Sequence, residues 1–80
     1  MGLIEVRFPS MSKDDPDAEG IVGTWFVRDG QAVKAGQIIA EVQVEKVSQD
    51  VEAPTSGVIR LSVREEAPVH QGDIIATIDG

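Results

Sequence analysis

No cysteine occurs in these 80 residues. A disulfide framework and a thiolate metal site are therefore both excluded. His70 is the only histidine and cannot build a zinc site alone. Tyrosine is absent, and one tryptophan with two phenylalanines leaves the core to Val, Ile, Leu and Ala. That composition favours strands over helices. Basic residues are scarce: Lys and Arg total 7 against 14 Asp and Glu, a formal charge of −7. Nucleic acid and anionic membrane surfaces, which demand Lys and Arg, are poor partners for such a chain. No apolar run is long enough to span a bilayer. The start Met1-Gly2-Leu3-Ile4-Glu5 has no signal-peptide pattern, and Val6 stands where a myristoylation signal needs Ser or Thr. A cytoplasmic location is the expectation. No window carries a helical apolar stripe.

Alternation at period two is what the chain does contain. Ile4, Val6 and Phe8 alternate with Glu5 and Arg7 until Pro9. Ser10 to Glu19 is a polar loop with Asp14, Asp15 and Asp17. Ile21 to Val27 resumes β character, and Gly23 within it predicts a bulge or a close backbone approach. Trp25 and Phe26 are adjacent and so face opposite ways, one toward the core and the other exposed as a candidate partner contact. Two more alternating runs, Ile38 to Val44 and Val47 to Ala53, are followed by Val58 to Val63 and Ile74 to Ile78. Short strands with turn signals every 8–12 residues or so predict a sandwich or barrel.

The chain also repeats itself. Val33, Gly36, Ile38, Ile39 and Ala40 recur 36 positions later as Val69, Gly72, Ile74, Ile75 and Ala76. Val27-Arg28-Asp29 recurs as Val63-Arg64-Glu65 at the same offset. Lys34 aligns with His70, which is expected at the surface. Each half alone would leave an apolar face uncovered, and packing the two together buries both. The expectation is an all-β, flattened barrel or sandwich of two similar four-stranded sheets with quasi-two-fold symmetry, one domain over residues 1–80. One end would carry the Lys46 turn and the other both termini.

Lys46 lies midway between the halves, in Val44-Glu45-Lys46-Val47. With Glu45 and Lys46 as a two-residue turn, Val44 would face Val47, Val42 Gln49, Ala40 Val51 and Ile38 Ala53, nearly all apolar against apolar. A one-residue slip would oppose apolar to polar. The turn is therefore placed at Glu45-Lys46. Neither residue suits positive φ, so a type I turn is expected. A lysine at such a tip is either a solubilising residue or an attachment point.

Glu19-Gly20-Ile21-Val22 and Trp25, then Gly30, Val33, Gly36, Glu41-Val42, Glu45-Lys46-Val47, Ala53-Pro54 and Gly57, resemble the lipoyl domains of 2-oxo acid dehydrogenase complexes. Those domains carry a glycine eleven positions after the modified lysine, as Gly57 follows Lys46. Phe8-Pro9-Ser10-Met11 resembles their opening strand and loop. The family usually has Asp before the lysine and Thr or Ser before that; this chain has Glu45 and Val44. Biotinyl domains share the fold, but methionines normally flank their lysine, whereas Glu45 and Val47 flank this one.

The resemblance implies that a lipoate ligase or lipoyl transferase would join lipoate to Lys46 through an amide, recognising Glu45 and Val47. The lysine ammonium must lose its proton to attack an activated acyl group, so the base or low-dielectric pocket would come from the ligase. The domain would then be a carrier and not an enzyme, either free-standing or a fragment of a dihydrolipoamide acyltransferase. It would serve a decarboxylating dehydrogenase, an acyltransferase and a dihydrolipoamide dehydrogenase as a swinging arm for acyl groups and electrons. Among Lys13, Lys34 and Lys46, only Lys46 would be the acceptor. The loop of Asp14, Asp15, Asp17 and Glu19 would lie near it and help partners choose the domain, the alternative being a solvated loop. Two alternatives to lipoate carriage remain: a biotinyl carboxyl carrier and an unmodified structural or interaction module.

Overall fold

The computed structural model of the chain describes residues 2–12, 14, 15 and 17–80. Lys13, one of the lysines weighed above, lies outside the described residues, as do Met1 and Pro16. The chain forms strands β1 (Leu3–Arg7), β2 (Glu19–Trp25), β3 (Ala32–Val33), β4 (Ile38–Val44), β5 (Val47–Glu52), β6 (Gly57–Leu61), β7 (Pro68–His70) and β8 (Ile74–Asp79). Two antiparallel four-stranded sheets result, ordered β1-β8-β6-β3 and β5-β4-β2-β7. Advancing each strand of the first sheet by half the chain's strands yields the second in the same order. The quasi-two-fold sandwich expected from the repeat is thus the fold.

Equivalent residues do equivalent work in the two halves. Ile39 and Ile75 are each passed over in the pairing, because Ile38 and Ala40 face Glu52 and Val51 while Ile74 and Ala76 face Arg7 and Val6. Such a bulge turns two successive side chains inward. Ile39-Ala40 and Ile75-Ala76 are accordingly all fully buried. This corrects one expected pairing. Ile38 lies opposite Glu52, not Ala53, and is 44% exposed, because the bulge at Ile39 shifts the register beyond it. The other three expected pairs of the hairpin form as written.

The register also locates where the halves differ. Phe8 and Ala53 are equivalent, since their N–H groups donate to the repeat-matched carbonyls of Asp73 and Gln37. Gly20 and Gly57 are equivalent too, facing Val69 and Val33. Gly20 lies twelve positions after Phe8 and Gly57 four positions after Ala53, so the first half carries eight extra residues between Phe8 and Gly20. One more is Gly23, where the β2–β4 register shifts as the sequence predicts. Both equivalent glycines are obligatory by close approach. A Cβ on Gly20 would lie 2.5 Å from Phe8 Cζ and 2.6 Å from the Gln43 carbonyl. One on Gly57 would run into the Asp79 backbone carbonyl.

Phe8, Val22, Ile39, Val42, Ile59, Ile75 and Ile78 are the largest fully buried side chains, and Trp25 packs against the core they form. Trp25 Nε1 donates to the Val63 carbonyl at 3.1 Å, so the half-buried indole keeps its polar group satisfied. Phe26 is the exposed member of the pair, at 55%. Among the described residues no polar or charged residue is buried.

Candidate functional site

The β4–β5 hairpin carries the site. Val44 pairs with Val47, leaving Glu45 and Lys46 as the two-residue turn. Val44 is buried, but Val47, Ser48, Gln49 and Asp50 are all exposed. β5 is an edge strand whose first turn-proximal residues reach past the core, so the tip stands in solvent. Lys46 is exposed, and among the described residues it has no ion pair. Lys34 is also exposed, in the β3–β4 turn, where its backbone N–H donates to Gln37 Oε1 at 3.0 Å.

The turn is not the expected type I. Glu45 has φ +55°, whereas Lys46 keeps a negative φ. Type I requires negative φ at both central residues. Positive φ at the turn's start matches the right-handed twist of the flanking strands, and that requirement overrides the side-chain preference of glutamate. A left-handed conformation costs a non-glycine residue about 1–2 kcal/mol. The strain sits beside the candidate lysine, and strained backbone clusters at functional sites.

Around the tip the structure brings together several of the residues singled out from sequence. Glu19 and Glu45 line one cleft of about 220 Å³ with Gly20, Ile21, Gln43 and Pro68. Glu19 ends the inserted loop, so the loop and the hairpin tip meet at the same end of the sandwich. Asp14, Asp15 and Asp17 are exposed along that loop. Val47 exposes 57% of its surface next to Lys46. The chain termini meet elsewhere, where Gly80 N–H points to the Gly2 carbonyl at 3.4 Å. His70 is exposed beside Asp73, 3.8 Å away, as a surface residue should be. Gln71 was not legible as a site residue, yet its side chain binds the loop backbone at Met11, Ser12, Asp15 and Ala18. No local sequence pattern marks a contact spanning more than fifty positions.

Residues 4–78 match the family model described as "Biotin-requiring enzyme" (Biotin_lipoyl). The chain belongs to the biotin/lipoyl family. Two of its relatives within that family carry dihydrolipoyllysine in their names. It is 39% identical over 56 residues to the dihydrolipoyllysine-residue acetyltransferase component of the pyruvate dehydrogenase complex from Zymomonas mobilis, covering 70% of this chain and 12% of that protein. It is 32% identical over 80 residues to the dihydrolipoyllysine-residue succinyltransferase component of the 2-oxoglutarate dehydrogenase complex from Cupriavidus necator, covering 99% of this chain and 19% of that protein. The chain thus spans less than a fifth of the length of either relative. In three dimensions it superposes on the lipoyl domain of the 2-oxoglutarate dehydrogenase complex from Azotobacter vinelandii with a TM-score of 0.78, at 28% identity and 96% coverage of both chains.

Proposed function

We propose that residues 1–80 form one lipoyl-type domain, a cytoplasmic carrier whose prosthetic group is lipoate in amide linkage to Lys46. The observation that carries this is the placement of Lys46: exposed, unpaired among the described residues, at the two-residue tip of an edge hairpin. An arm attached there can sweep through solvent without colliding with the sandwich. When bound, lipoate supplies a dithiolane that takes up acyl groups and electrons; this is the cofactor's chemistry, not the protein's. The chain's own contribution is presentation. Glu45 and Val47 flank the amine and are the residues a lipoate ligase or lipoyl transferase would read. Asp14, Asp15, Asp17 and Glu19 add negative charge at the same end and would steer the domain toward basic surfaces.

The partners on this reading are a decarboxylating dehydrogenase, an acyltransferase and a dihydrolipoamide dehydrogenase of a 2-oxo acid dehydrogenase complex. The relatives' names support complexes acting on pyruvate or 2-oxoglutarate. Biotin carriage is the second reading, favoured by the description of the family model. Glu45 and Val47, in place of flanking methionines, weigh against it. The test is to load the chain with lipoate and offer it to the decarboxylating dehydrogenases for pyruvate and for 2-oxoglutarate, each with its 2-oxo acid. Acylation by one of them, lost in Lys46→Ala, supports the proposal. Refusal by both, with the chain accepting biotin from a biotin ligase instead, replaces it with the second reading.

A further inference from the structure

The inserted loop lies between Phe8 and Gly20 and has no counterpart in the second half. A ten-residue polar segment with little apolar surface has few means of holding one shape. Met11 and Ala18 pack against the core near its two ends, and among the described residues one side chain from the other half, Gln71, ties the backbone between them. Gln71 Oε1 accepts the backbone N–H groups of Met11 at 2.7 Å and Ser12 at 2.8 Å. Its Nε2 donates to the carbonyls of Asp15 at 3.2 Å and Ala18 at 3.1 Å. A primary amide offers two acceptor lone pairs and two N–H donors, and these contacts use both sets. The orientation of the amide is thereby fixed: a flip would set N–H against N–H and oxygen against oxygen. Within the loop, Ser12 Oγ accepts the Asp15 N–H and the Asp15 carbonyl accepts the Ala18 N–H. Gln71 thus clamps both arms of a turn that carries Asp15, with Asp14 and Asp17 on either side.

The clamp is anchored in rigid structure. Gln71 follows His70, the last residue of β7, which pairs with Glu19 at the end of the loop. Next in sequence, Gly72 donates its N–H to the Phe8 carbonyl at the loop's start. Both loop ends and the clamp are therefore tied to the β7–β8 turn. The repeat shows that Gln71 is particular to this task. Its counterpart 36 positions earlier is Ala35, in the half whose corresponding connection is short.

We infer that Gln71 is a positioning residue for partner recognition: its amide holds the loop of Asp14, Asp15 and Asp17 in the one arrangement that partner enzymes bind beside Lys46. This rests on the carrier function proposed above. Without the clamp the loop samples other shapes, and binding weakens by the fraction of time it spends in the competent one. If that fraction falls to about one fifth, KM for the domain as substrate rises about fivefold. The acylation step itself, which involves the arm and not the loop, keeps its kcat.

The test uses the lipoylated 80-residue chain carrying Gln71→Ala, Gln71→Glu or Gln71→Asn. Amide hydrogen exchange at Met11 and Ser12 reports on the clamp directly. Reductive acylation by the decarboxylating dehydrogenases for pyruvate and for 2-oxoglutarate gives KM and kcat. Exchange should accelerate in Gln71→Ala, with KM raised about fivefold, kcat unchanged and labelling of Lys46 by lipoate ligase unaffected. Gln71→Glu keeps the acceptors but sets carboxylate oxygen against the Asp15 and Ala18 carbonyls, so it should resemble Ala. Gln71→Asn is a methylene too short to reach both arms and should not rescue. Unchanged exchange in all three variants overturns the inference, as does faster exchange with unchanged KM. A companion variant with Asp14, Asp15 and Asp17 all changed to asparagine separates the two levels. If it raises KM while Gln71→Ala does not, only the role of Gln71 falls. If the lipoylated wild type is not acylated at all, the carrier reading falls with it.

Discussion

Glu65 reaches from the second half of the chain to the first, where its Oε2 accepts the Trp25 backbone N–H at 2.7 Å. The repeat returns the favour: Asp29 Oδ1 accepts the Leu61 N–H at 3.0 Å. Trp25 and Leu61 are 36 positions apart, as are Asp29 and Glu65. Each carboxylate thus binds the last residue of a strand in the other half, Trp25 of β2 in one case and Leu61 of β6 in the other. The two contacts are a reciprocal cross-link between the halves.

Removing either carboxylate should cost stability. A hydrogen bond to a charged group contributes about 1.5–3 kcal/mol when well protected. Both carboxylates are exposed, so Glu65→Ala and Asp29→Ala should each lose about 1 kcal/mol, measured as a lower urea midpoint at constant slope. Glu65→Gln, which retains an acceptor oxygen, should lose less. Losses within error for both alanine variants would remove the cross-link from the account.

The repeat also exposes a strained turn. Gly30 and Glu66 are equivalent, and both have positive φ, +86° and +67°. Glycine accepts that conformation without steric cost, while glutamate does not. Glu66→Gly should therefore stabilise the fold by about 0.5–1 kcal/mol, the strain relieved less the entropy that glycine adds to the unfolded chain. Gly30→Ala should destabilise it by about 1 kcal/mol or more. Thermal unfolding of the two single variants checks the opposite signs.

Much of this architecture is legible in the sequence because duplication writes each structural requirement twice. Gly36 and Gly72, Ile39 and Ile75, Asp29 and Glu65 identify one another before any coordinate is known. Gly23 reveals its bulge because glycine inside an apolar strand has few other reasons to be there. The tip at Glu45-Lys46 follows from pairing apolar residues across the hairpin. Other features are not local and leave no such trace. The bulge at Ile39 that sends Ile38 outward is hidden, since isoleucine is equally at home paired or bulged. Positive φ at Glu45 contradicts the residue's own preference and is imposed by strand twist. The clamp by Gln71 depends on a register between distant segments, where glutamine has no distinguishing spacing.

The charge at the tip end predicts a salt dependence. Asp14, Asp15 and Asp17 are exposed, and Glu19 and Glu45 line a common cleft at that end. Steering by exposed charge acts mainly on association rate and is screened over about 8 Å at physiological ionic strength. Changing the three loop aspartates to asparagine should slow reductive acylation of the lipoylated chain more at low salt than at high salt. An equal rate for variant and wild type across that range would reduce the loop to plain solvated surface.

Intact mass, followed by peptide mapping, tests the central claim most directly. The chain is incubated separately with lipoate and lipoate ligase and with biotin and biotin ligase, alongside Lys46→Ala. Because an exposed tip residue changes stability by only about 0.5 kcal/mol, that variant stays folded and any loss of labelling reflects the site. The account predicts one lipoyl group on Lys46, none on Lys34, none in Lys46→Ala, and little or no biotin. A lipoyl group that persists in Lys46→Ala, or a chain that takes up biotin and refuses lipoate, would contradict it.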